Sequence, residues 1–271
     1  MYEEYWGFRE RPFQNTPDPR FFYESLEHEE ALSKLLYTIE RNLGAAMLTG
    51  VFGCGKTVVG QTLLSRLPGD KYKIAFITNP QLDSVELLRS IVRNLKAVDL
   101  PEKKTELSAD ALLEVLGEIL ENNDRDGRKT VVVIDEAHII RDERIFEELR
   151  LLLNFQKSDR FLLTLLLFGQ PELKQRVEDN KQLDQRIALK CHLEAFDLKN
   201  TVTYIAHRLR VAGGSEAIFD DGALGVIHDR SGGIPRRINR ICDMGLLIGS
   251  SKGARAVDRA AVEEGLQSLG G

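Results

Sequence analysis

Apolar residues in this chain fall into short runs separated by longer stretches in which they recur every three or four positions. Strand-length runs occur at Ala45–Thr49, Lys73–Thr78, Thr130–Ile134, Phe161–Phe168 and Leu189–Leu193. Between them, Val58–Leu67, Val85–Leu95, Ala109–Glu121 and Ile145–Phe155 carry apolar residues at helical spacing. Strands alternating with helices predict an α/β fold around a mostly parallel sheet. The unbroken run Val131-Val132-Val133-Ile134 predicts a strand covered on both faces. The polar stretch Pro101–Ser108 predicts a loop.

The pattern changes after Phe196. No strand-like run follows, and helical spacing appears at Thr201–Val211, Gly222–Asp229, Ile234–Ile248 and Arg259–Leu269, punctuated by Gly213-Gly214 and Gly232-Gly233. This predicts an α/β core over residues 1–196, including an aromatic N-terminal segment, and a small helical domain over 197–271. The N-terminal segment holds eight of the nineteen aromatic residues within its first 23 positions. Few basic residues are interleaved there, so packing across the core is favoured over stacking on nucleic acid.

The residues Gly50-Val51-Phe52-Gly53-Cys54-Gly55-Lys56-Thr57 fit G-x-x-x-x-G-K-[ST]. An apolar strand leads in and a helical stretch beginning at Val58 follows. A glycine-rich turn opening a helix aims backbone N–H groups at one point, which suits the phosphates of ATP. Lys56 is expected to reach the β- and γ-phosphates and Thr57 to hold Mg²⁺. Cys54 within this loop is expected to make nucleotide entry sensitive to oxidation or alkylation.

Asp135 emerges at the end of the Val131–Ile134 run, where ligands of open α/β sheets gather, and Glu136 follows it. Asp135 would complete the Mg²⁺ shell and Glu136 would orient or deprotonate the attacking water. The same acidic pair would also serve as an ordinary helix cap. The tetrapeptide Asp135-Glu136-Ala137-His138 is similar to a helicase box, but the helical second part argues against that class, so His138 reads as a local helix-start residue. Gln170 ends the run through Phe168 and is placed to hydrogen-bond a γ-phosphate or lytic water, or to act as a turn residue before Pro171. Asn79 has a comparable place and would restrain Glu136. Arg186 and Arg236 are candidates for stabilising charge on a transferring phosphoryl group.

At 271 residues the chain has room for a large core and a smaller appendage. Its net charge of −5 does not point to a polyanionic partner. Three scattered cysteines form no metal-ligand spacing and suit reduced thiols in a cytosol. The longest strongly apolar run, Phe161–Phe168, is too short for a membrane span. The N-terminus is acidic and aromatic, unlike a signal peptide. These features read as cytoplasmic.

Together these residues resemble the AAA+ ATPases. The segments Tyr5-Trp6-Gly7-Phe8-Arg9-Glu10-Arg11-Pro12-Phe13, Thr16–Tyr23, His28–Leu32, Phe168-Gly169-Gln170-Pro171-Glu172-Leu173 and Ser231–Arg240 narrow the resemblance to the general secretion pathway A (ExeA) family, with its pilus-biogenesis relatives. The resemblance implies a P-loop NTPase three-layer core with a five-stranded parallel sheet of order 5-1-4-3-2, a C-terminal helical lid, and ring-like homo-oligomers such as hexamers. It implies sensor 1 at Gln170, a trans-acting arginine finger at Arg186, and sensor 2 at Arg236, which would also touch the nucleotide. Its function would be ATP hydrolysis coupled to assembly of a secretion or type IV pilus-like machine. The implied location is peripheral to the inner membrane, through a protein partner there. Two alternatives stand beside it: a DNA-directed ATPase similar to the TniB and MuB transposition regulators, and a non-hydrolysing ATP-dependent scaffold. Ten basic against nine acidic residues over 197–271 weigh against DNA, and Glu136 weighs against the scaffold.

Overall fold

The computed structural model describes residues 2–78, 80–95 and 108–270. The expectations for Asn79 and for the loop at 101–107 lie outside them. In chain order the elements are α1 (Tyr2–Trp6), α2 (Leu26–Glu40), β1 (Ala45–Gly50), α3 (Lys56–Ser65), β2 (Tyr72–Ile77), α4 (Ser84–Asn94), α5 (Ala109–Arg125), β3 (Lys129–Ile134), α6 (Glu143–Leu152), β4 (Leu163–Gly169), α7 (Glu172–Asp179), α8 (Lys181–Asp184), β5 (Ile187–Leu193), α9 (Leu198–Val211), α10 (Asp221–Ser231), α11 (Pro235–Ser251) and α12 (Arg259–Ser268). They group into two compact units: Glu29–Gly50 with Thr62–Leu193, and Met1–His28 with Val51–Gln61 and Glu194–Gly271.

The first unit is built on a five-stranded sheet of order β2-β3-β4-β1-β5, the expected order read from the other edge. All four pairings are parallel. Strand β4 is buried at every position, in keeping with an apolar sequence interrupted only by Thr164 before Gly169. One face of the sheet, including Met47, Val132, Ile134, Leu165 and Leu167, packs with the apolar stripes of α4 (Leu87, Leu88, Ile91) and α5 (Leu112, Leu116, Leu120). The opposite-facing Ala46, Leu48, Val131, Val133, Leu166 and Phe168 are equally buried. Edge strand β5 instead alternates, with Ile187, Cys191 and Leu193 inside and Ala188, Lys190 and His192 outside, as expected where one face meets solvent. Helix α4 opens with a capping box between Asp83 and Glu86, and α5 is capped by Ser108.

The second unit has its own apolar core, formed by α9–α12 with Tyr2, Phe8, Phe13 and Phe21. The aromatic N-terminus therefore groups with the helical C-terminal part, whereas the expected division sets it with residues 1–196. Two interactions explain the grouping. Gly249 on α11 leaves room for the Trp6 ring, where an added Cβ would stand 3.0 Å from it, and Trp6 donates its indole N–H to the Leu246 carbonyl at 3.0 Å. Arg208 on α9 donates to the Pro12 carbonyl at 2.5 Å and the Gln14 carbonyl at 2.9 Å, with its guanidinium 4.7 Å from the Phe21 ring centroid. A buried arginine is tolerable because each donor faces an acceptor or a π-face.

Candidate functional site

The loop between β1 and α3 belongs to the second unit. Gly53 and Gly55 take φ of 89° and 105°, values that a side chain strongly disfavours. Their neighbours add a steric reason. A Cβ on Gly53 would lie 2.9 Å from Cβ of Arg236, and one on Gly55 would lie 3.1 Å from Nε2 of His28. The Arg236 backbone N–H donates to the Gly53 carbonyl at 3.2 Å. Its guanidinium stands 4.6 Å from the centroid of Phe52, an exposed ring. Arg236, a candidate from its helix-start position, is thus held against the loop between β1 and α3. The positive end of the α11 N-terminus adds to the field there. Lys56 is buried, with Nζ donating to the Val51 carbonyl at 3.2 Å.

Beside this loop lies an apolar cleft lined by Phe22, Tyr23, Cys54, Val58, Phe196 and Pro235. His28, which the sequence offers only as part of a family resemblance, also lines it. Its Nε2 sits 3.0 Å from the Cys54 carbonyl, so Nε2 carries the proton, and Nδ1 accepts from the Ser25 hydroxyl at 2.7 Å. Burial pushes the His28 pKa down, and burial does the same at His207. The sign follows directly: the unfolded chain binds these protons first, so stability is full above about pH 6.5 and falls as pH drops below it. Urea midpoints at pH 7.5 and 5.5 should show this loss, with a smaller loss in His28→Gln. An equal loss in that variant would remove His28 from the account. The same burial corrects the expectation for Cys54. The thiol is fully buried and its pKa is pushed up by desolvation, which suppresses the reactive thiolate.

The remaining candidates lie in the first unit. Because its strands are parallel, Gly50, Asp135 and Gln170 all emerge at one edge, at or just beyond the carboxyl ends of β1, β3 and β4. Asp135 is buried and accepts the Glu136 backbone N–H at 2.9 Å through Oδ1. Glu136 takes a left-handed backbone conformation, φ 54° and ψ 32°, uncommon for a residue with a side chain. A short 3-10 turn, Ala137–Ile139, follows, so His138 does sit in a helix start, as expected. Its ring does more than that. Nε2 lies 3.5 Å from a Glu136 carboxylate oxygen and 2.9 Å from the Gln170 amide nitrogen. Gly169 permits this approach, since a Cβ there would stand 3.1 Å from the His138 backbone nitrogen. Arg186 lies between α8 and β5, half-buried, with Nη1 donating to the Arg150 carbonyl at 3.4 Å.

Among the described residues there is no cluster of His, Cys, Asp and Glu that could hold a metal. Of the two residues expected to hold Mg²⁺, Asp135 offers a carboxylate oxygen in the first unit and Thr57 a hydroxyl oxygen in the second, and each is a hard ligand of the kind Mg²⁺ takes. Among the described residues no helix is long and apolar enough to cross a membrane.

A family model described as an AAA domain matches residues 38–177, more than half of the chain. General secretion pathway protein A of Aeromonas hydrophila is 37% identical over 260 residues, which cover 95% of this chain and 46% of that protein. The chain thus spans about half the length of the curated relative it matches. Among solved structures, the Aeropyrum pernix ORC2 protein in its ADPNP–ADP complexes aligns with a TM-score of 0.72 at 19% identity, covering 96% of this chain and 72% of that one. The Thermotoga maritima RuvB Holliday junction branch migration motor aligns at 0.59 and 18%, covering 91% and 70%. At such identities the likeness is one of fold. The match of the family model decides membership: this chain belongs to the AAA domain family.

Proposed function

We propose that the chain binds and hydrolyses ATP and couples that cycle to assembly of a secretion or type IV pilus-like machine. The observation that carries hydrolysis is the shared edge at which β1, β3 and β4 deliver the start of the phosphate loop, the Asp135-Glu136 pair and Gln170. The secretion reading rests on similarity to General secretion pathway protein A. In this reading residues Gly50 to Val58 cradle the phosphates, Lys56 neutralises the terminal ones, and the cleft beside Cys54 takes the adenine. Glu136 accepts a proton from the attacking water, Gln170 orients that water or the γ-phosphate, and Arg236 contacts the phosphate side. Thr57 and Asp135 would hold Mg²⁺, which supplies charge neutralisation when bound. The protein would act as a ring-like homo-oligomer, a hexamer being one form. It would work in the cytoplasm against an inner-membrane protein partner.

ATP turnover with and without double-stranded DNA tests the reading. Turnover indifferent to DNA supports it, whereas DNA stimulation with steep salt dependence would move the protein to the transposition-regulator class. Turnover measured against protein concentration tests Arg186 as a residue acting on a neighbouring subunit. Specific activity should rise with concentration in the wild type, and Arg186→Ala should abolish the rise. A flat profile in the wild type would remove Arg186 from the reaction.

A further inference from the structure

We propose that His138 is a positioning residue that passes the state of Gln170 to Glu136; the inference rests on the hydrolytic reading above. The geometry is a contest for one atom. Nε2 of His138 faces the Gln170 amide nitrogen at 2.9 Å and a Glu136 carboxylate oxygen at 3.5 Å. An amide nitrogen only donates and a carboxylate only accepts. With Gln170 donating, Nε2 must be the unprotonated ring nitrogen, and it then has nothing to give Glu136. For Nε2–H to hold the carboxylate, Gln170 must turn its NH₂ elsewhere or present its oxygen. The two contacts are therefore alternatives.

The other ring nitrogen leaves the choice to Nε2. Nδ1 of His138 is buried and has no hydrogen-bond partner. It is an unpaired donor in one tautomer and an unpaired acceptor in the other, so the partner held at Nε2 decides which tautomer is present. The ring changes tautomer once an acceptor recruits the Gln170 amide. A terminal phosphate oxygen is such an acceptor. The ring proton then resides on Nε2 and is donated to Glu136, fixing the carboxylate. Two backbone features keep the parts in register: the left-handed conformation of Glu136 and the close approach at Gly169. His138 thus acts on Glu136 through a hydrogen bond, with no contact of its own to the nucleotide.

Two measurements on the full chain test this. Imidazole ¹⁵N correlation spectra resolve the tautomers of the five histidines, and His138→Asn identifies the signals of interest. The His138 signals should move in both Gln170→Ala and Glu136→Gln, and again when Mg²⁺ with a non-hydrolysable ATP analogue is added. Signals unmoved by both substitutions overturn the proposal, whether or not the protein turns over ATP. In the kinetics, His138→Ala should lower kcat by up to about a hundredfold, with ATP affinity and melting temperature unchanged. His138→Asn, which retains a donor, should recover part of the loss. The double variant His138→Ala/Gln170→Ala should be no slower than the worse single variant, because the two act in series. Multiplicative losses, or a loss in affinity with kcat preserved, would overturn the proposal. A wild type without ATP turnover would instead refute the hydrolytic reading and leave the spectra to decide the coupling.

Discussion

Glu136→Gln is expected to lower ATP turnover about a hundredfold or more while leaving nucleotide affinity near that of the wild type. The expectation rests on where the residue sits. Asp135, buried at the end of β3, uses one carboxylate oxygen to accept the Glu136 backbone N–H, which anchors the peptide on which the Glu136 side chain turns. The left-handed backbone at Glu136 then sends the chain into the 3-10 turn. Such a conformation costs on the order of 1 kcal/mol for a non-glycine residue, and strained positions of this kind cluster at active sites. Glutamine preserves size and hydrogen-bonding reach but accepts no proton. Isothermal titration with ATP and a coupled turnover assay separate the two effects. Equal turnover in both proteins would reduce Glu136 to a helix-start residue, the bland alternative its sequence context allowed.

The second large effect is on folding. Gly233→Ala should destabilise the protein by about 4 kcal/mol or more, whereas Gly232→Ala, one residue earlier, should cost only about 1–2 kcal/mol. Both glycines have positive φ, 61° and 71°. Only Gly233 is also crowded by main chain: an added Cβ would stand 1.9 Å from the Phe196 carbonyl oxygen, while nothing lies within 4 Å of one on Gly232. The Phe196 N–H donates to the Gly233 carbonyl at 2.9 Å, so the segment cannot move aside without breaking that bond. Pro235 and Arg236 lie two and three residues further on, and the surviving folded fraction should bind ATP more weakly as Arg236 shifts from Gly53 and Phe52. Urea unfolding of the two variants side by side is the check. Equal costs would mean that the segment relaxes freely and that only the backbone conformation matters.

The strong periodic signals were legible in the sequence. Every strand expectation has its element, most clearly at β1, β3 and β4, where burial on both faces leaves a near-continuous apolar run that solvent-exposed loops lack. The errors at the edges have physical causes. Phe161 and Leu162 read as strand, yet Phe161 forms an antiparallel bridge to Gln156, and Leu162 donates to the Phe155 carbonyl, so β4 begins at Leu163. Strand β5 begins at Ile187, earlier than its apolar run suggested, because an edge strand alternates and dilutes the signal. Helix α2 went unread, although Ala31, Leu32, Leu35 and Ile39 form a buried helical stripe. The charged residues between them hid the period. The glycine-rich turn after β1 and the acidic pair after β3 are legible as spacing. His28 and His138 as ring contacts were not, since each depends on a partner far away in the chain: Cys54 for the one, Gln170 for the other. The place of the N-terminal aromatics was also hidden, for the same reason.

That last feature bears on how the chain is made. Tyr2, Phe8, Phe13 and Phe21 complete a core whose other members begin at Phe196. A ribosome adds about 5–20 residues per second, so these rings leave it some ten seconds or more before the helices that bury them. For that interval an aromatic-rich segment is without its native cover. A chaperone that binds exposed aromatic chain would find its target in this segment and would lose it only when α9–α12 arrive.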